Sequence, residues 1–127
     1  MKRTFLAVLL ISGFISSHAS VKITPDPVLA TINEHFVINL PISQVLAEVY
    51  VVDISKCGFK SDEQLQAFCR SASDQNVIFR GNLAENKLFV NPLPSMNEGV
   101  WSVADWNNYF ENRAVKLEAL FKTILAQ

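Results

Sequence analysis

Residues 102–125 carry apolar side chains at Val103, Trp106, Phe110, Ala114, Leu117, Phe121 and Ile124. This three-then-four spacing keeps one stripe on one helical face for roughly six turns at 3.6 residues per turn. A stripe so complete needs a surface to lie on, so the rest of the chain is expected to pack against this helix. Its start is equally legible. Ser102 and Asp105 stand at the spacing of a short-armed capping box, and Trp101 precedes the cap, where it can close over Trp106 as a hydrophobic staple.

The opposite end of the chain carries a different message. Lys2 and Arg3 give a positive start, residues 4–15 are an apolar run, and Ser17, His18 and Ala19 place small residues where a signal peptidase reads. Residues 1–19 are therefore expected to be a cleaved signal peptide and residues 20–127 a single mature domain, exported to the periplasm. The apolar run falls short of the ~20 residues that span a bilayer, so no membrane insertion is expected after cleavage. Cleavage lowers Lys+Arg from 11 to 9 against 12 Asp+Glu, a net charge of −3. With no basic cluster, that mild acidity argues against nucleic acid as a partner.

Cys57 and Cys69 are the only cysteines, and in an oxidising compartment a disulfide between them is expected, worth on the order of 3 kcal/mol in the chain-entropy model. Between the signal and the last helix the pattern reads as mainly α. A short helix is expected after Asp26-Pro27, with Val28, Leu29, Ile32 and Phe36 on one face. A second is expected from Ile42 to a left-handed glycine cap at Gly58, although the β-branched residues of 48–54 also suit a buried strand. A third begins at Ser61, whose spacing to Gln64 is that of a capping box, with Leu65, Phe68 and Cys69 facing inward. Residues 76–80 and 87–90 read as the strands of a short hairpin, with a helix through the same segment as the competing reading, and residues 91–99, with Pro92, Pro94 and Gly99, as a linking loop. The expected fold is a compact bundle of about four helices with one disulfide, with an α+β arrangement as the alternative.

Counting removes most chemistries. His35 is the only histidine outside the signal, there is no Gly-x-Ser-x-Gly elbow, and four glycines in all leave no phosphate-binding loop. No metal site and no cofactor are expected. The carboxylate pairs Glu48 with Asp53 and Asp105 with Glu111 are spaced to diverge around a helix, so no enzyme is expected. Two features can recognise a partner. The loop tip Met96, Asn97 and Glu98 is held between prolines and a well-anchored helix, and Trp101, Asn108 and Tyr109 offer aromatic and amide groups beside it. The apolar stripe of the last helix also offers a homodimer seam.

An exported, mildly acidic domain of this size with two cysteines and no catalytic set resembles, in kind, the small periplasmic immunity proteins of type VI secretion and bacteriocin systems. The resemblance implies a protein-binding inhibitor that occludes an effector such as a peptidoglycan hydrolase. A periplasmic carrier of an apolar ligand and a small cell-wall hydrolase are the other classes open to such a sequence.

Overall fold

The final helix, α2 (Val103–Leu125), forms as its spacing requires. Ser102 Oγ accepts from Asp105 N at 3.1 Å while Ser102 N donates to Asp105 Oδ2 at 2.8 Å, completing the capping box. The Trp101 and Trp106 rings stand edge to face, with centroids 4.8 Å apart. A computed structural model describes residues 26–94 and 101–127 of the chain. The expected signal segment 1–19 and the loop tip Met96, Asn97 and Glu98 lie outside the described residues.

What α2 lies on is a sheet. Strands β1 (Val28–Ile32), β2 (Ile38–Asn39), β3 (Tyr50–Asp53), β4 (Val77–Asn82) and β5 (Lys87–Pro92) assemble in the order β2-β1-β3-β5-β4, with helix α1 (Asp62–Ala72) between β3 and β4. β1 runs parallel to β3, whereas β1 with β2, β3 with β5, and β4 with β5 pair antiparallel. The fold is α+β, which corrects the expected mainly α bundle. Along the strands buried residues alternate with exposed or half-buried ones, so both helices cover one face. Ala30, Val52, Val77, Phe79, Leu88 and Val90 meet Leu65 and Phe68 of α1 and the stripe of α2 in one core. All seven stripe residues of α2 are buried within the chain itself.

Two expected helices are strand and loop. At 28–32 the helical spacing is incidental: Ala30 is buried while Leu29 and Thr31 are exposed, a period of two, and β1 is paired on both sides. The segment then turns sharply. Asn33 Oδ1 accepts from His35 N and Val37 N, and Phe36 takes φ 62°, which no helix accommodates. After Pro41, Ser43 Oγ accepts from Val45 N, and the buried Tyr50 hydroxyl accepts from Ala47 N, fixing a loop rather than a helix ahead of β3. The β-branched Val51 and Val52 then serve a strand flanked on both sides.

The expected disulfide is absent: Cys57 and Cys69 are free thiols. Cys69 belongs to the inner face of α1, buried beside Phe68. Cys57 sits in the turn that leaves β3, its N–H donating to Ile54 C=O. It is Phe59 that ties this turn to α1, with its ring 5.3 Å from Phe68 and 4.9 Å from Phe121. The two sulfurs are therefore placed by separate packing demands, one by a helix face and one by a turn.

Side chains cap part of each outer edge of the sheet. On β4, Val77 N donates to Asp74 Oδ1, Phe79 N to Ser73 Oγ at 2.8 Å, and Gly81 C=O accepts from Gln66 Nε2 at 3.0 Å. Beyond β2, Leu40 N donates to Asn107 Oδ1 at 2.7 Å and Leu40 C=O accepts from Asn107 Nδ2 at 3.0 Å. A strand edge offers unpaired donors and acceptors to other chains, and these bonds occupy several of them.

Candidate functional site

The aromatic group expected at the start of α2 is largely an internal buttress. Tyr109 is half-buried, its ring 5.6 Å from both Trp101 and Trp106 and 5.4 Å from Phe110. Its hydroxyl donates to Asp74 Oδ2 in the turn after α1. Arg113, one turn on, donates to the same carboxylate oxygen at 2.9 Å and to Ala72 C=O at 3.1 Å. Asp74 also accepts from Asn76 N and Val77 N through Oδ1, so one carboxylate joins α2, the end of α1 and the start of β4. Burial, reinforced by that hydrogen bond to Asp74, pushes the Tyr109 hydroxyl above its ordinary pKa. Trp101 is half-buried and spent on the staple, and the Nε1–H of the fully buried Trp106 has no hydrogen-bond partner among the described residues.

Asn108 alone of the described recognition residues is exposed. It lines an open groove of about 460 Å³ with Asn39, Ile42, Asp105, Asn107 and Glu111. Asp105 and Glu111 thus share a groove, which their spacing did not foretell, but the Asp105 carboxylate is engaged by Ser102. Glu48 and Asp53 bracket β3, roughly 16 Å apart at the ~3.3 Å rise of a strand, beyond the ~5–9.5 Å of a glycosidase acid pair. His35 is exposed in the β1–β2 turn, 3.6 Å from Glu34 and 3.9 Å from Glu118. Among the described residues no three His, Cys, Asp or Glu side chains are grouped to hold a metal ion. No described helix is long and apolar enough to cross a membrane.

The uncovered face of the sheet presents a different surface. Leu29 stands opposite Val51, Val51 opposite Phe89, and Phe89 opposite Arg80, one row across four strands. Leu29 is 76% exposed and Ile78, on the same face of β4, is 40% exposed. The Arg80 guanidinium lies 5.6 Å from the Phe89 ring centroid, and Lys87 follows along β5 two residues before Phe89. Apolar residues standing in register on an open face offer a contact surface to another molecule. Sequence reasoning missed this surface because 28–32 was read with a helical period. The run Val28-Leu29-Ala30-Thr31-Ile32 carries no apolar–polar alternation that would have signalled it, because the exposed Leu29 is itself apolar.

Against known proteins the chain stands apart: no family model, no curated protein and no solved structure matches it.

Proposed function

We propose that this chain is an exported protein-binding inhibitor that occludes a toxic cell-wall-degrading enzyme, as an immunity protein does. The observation that carries this reading is the open sheet face, where the row Leu29, Val51 and Phe89 is flanked by Arg80 and Lys87. An apolar centre with cations beside it complements the cleft of a glycan hydrolase, which presents sugar-binding aromatic walls and a pair of catalytic carboxylates. Side chains cap part of each outer sheet edge, and in this reading the partner engages side chains of the open face rather than backbone. Phe89 and Arg80 form the anchor pair, the residue types that dominate binding energy at interfaces.

The test is co-expression of the exported toxin encoded by the neighbouring gene with this protein, with and without residues 1–19. Survival is expected only when the signal segment is present, together with a co-purifying complex. Phe89→Ala and Arg80→Glu are expected to remain folded and to lose protection. Survival without the protein, or full protection by both variants, overturns the proposal.

A further inference from the structure

β1 and β3 are adjacent and parallel, yet the chain leaves their carboxyl ends in opposite directions. From β1 it turns outward to β2, and from β3 it departs through α1 to β4 on the far side. Two loops that part in this way leave a crevice between them, and in open sheets such a crevice is where ligands bind. Here it is a cavity of about 590 Å³, lined from one side by residues 30–34 and Phe36 and from the other by Asp53, Ser55, Lys56 and Cys57. That volume falls within the ~300–1,000 Å³ of small-molecule sites.

The lining divides into a floor and a rim. Ala30, Ile32, Phe36 and the half-buried Cys57 are apolar or neutral, the Cys57 thiol being pushed up to about 11 by burial and then by the Asp53 charge. Phe36 is turned inward by its left-handed backbone, and its ring rests on Phe121 at 4.8 Å and Phe68 at 5.8 Å. The rim carries Glu34, Asp53 and Lys56. Asp53 is held ionised, its carboxylate accepting from Ser55 N at 2.9 Å, and Lys56 favours the same charged form. Carboxylate and ammonium therefore stand at the mouth of an apolar floor.

We infer that this crevice binds a short peptide with both termini free: its ammonium at Asp53, its carboxylate at Lys56, and an apolar side chain on the floor of Ile32, Phe36 and Cys57. A zwitterion with an apolar body is the ligand that engages rim and floor together; a purely apolar ligand leaves the rim charges unused and a simple ion leaves the floor unused. The inference does not rest on the inhibitor reading, although the crevice adjoins the open face, where Asp53 stands opposite Lys87.

The probe is the tripeptide Ala-Leu-Ala, compared with its N-acetylated and its C-amidated forms, by amide chemical-shift titration of the purified protein. Saturable shifts are expected at residues 30–36 and 53–57, with each blocked peptide weaker by about tenfold or more. Asp53→Asn keeps an oxygen for the Ser55 N–H and is expected to weaken the free peptide to the level of the acetylated one while leaving the acetylated one unchanged. Lys56→Gln is expected to do the same for the amidated form. Absence of saturable shifts up to about 10 mM, shifts centred elsewhere, or equal affinity for all three peptides overturns the assignment.

Discussion

Replacing Asn107 by alanine tests how the sheet is finished. The Asn107 carboxamide oxygen accepts from Leu40 N–H at 2.7 Å and its amide N–H donates to Leu40 C=O at 3.0 Å, so that Asn107 acts as a one-residue strand beside the end of β2. Leu40 is 0% exposed, so its backbone groups have little recourse to water when the carboxamide is removed. Each bond contributes about 1 kcal/mol net, and a buried backbone group left unpaired costs about 1–3 kcal/mol. Asn107 itself is only partly buried, which lets water recover part of the second contribution. Asn107→Ala is therefore expected to cost about 2–3 kcal/mol, whereas Asn108→Ala, its exposed neighbour, stays within about 0.5 kcal/mol. Urea unfolding followed through the fluorescence of buried Trp106 measures both, and hydrogen exchange at the Leu40 amide is expected to accelerate in the first variant alone. Equal losses from both variants, or a loss below about 0.5 kcal/mol for Asn107→Ala, would refute the assignment of those two bonds.

Thiol titration of the denatured, unreduced protein is expected to find both Cys57 and Cys69 free; finding neither restores the bridge. The two thiols ionise at about 11 and about 12 in the fold, raised first by burial, against an ordinary 9.0. The folded state thus keeps protons that the unfolded chain releases, and stability is expected to fall as pH rises from 9 toward 12, less steeply in Cys69→Ala. A Cβ on Gly81 meets Leu65 Cγ at 2.5 Å, so Gly81→Ala is expected to cost about 1–3 kcal/mol by denaturant titration, and Leu65→Ala made alongside it is expected to cost less than additively. Tyr109→Phe removes the bond to Asp74 and is expected to cost about 1–2 kcal/mol; because the Tyr109 hydroxyl is raised above its ordinary 10.0, the wild type also loses stability more steeply than this variant above pH 10.

The two helices and the hairpin were legible because their signals are local. Ser102 and Asp105 cap α2 through their own neighbours, and Ser61 Oγ accepts from Gln64 N as its spacing foretells, although Gln64 reaches back to Lys60 N rather than to Ser61. The hairpin of β4 and β5 closes through Asn82 and the left-handed Asn86, polar residues suited to a turn. β1 was not legible and β3 only as the alternative strand within 48–54, since their pairing is non-local: Val28 and Leu29 meet Tyr50 and Val51 across more than twenty residues, and a five-residue strand can mimic one turn of a helix. The recognition residues show the same division. Trp101 and Tyr109 advertised aromatic character truthfully, but only the fold reveals that Asp74 and Arg113 draw Tyr109 inward.

The capped edges also bear on what kinds of assembly this chain can enter. A sheet with free edges can add copies of itself indefinitely, and the product is a fibre. Here Asn107 at one edge, and Ser73, Asp74 and Gln66 at the other, have taken several of the donors and acceptors on which such growth depends. Association across the open face instead consumes the surface that makes it, so it ends when one partner is seated. Side chains that stand away from that face thereby favour a closed complex over a growing one.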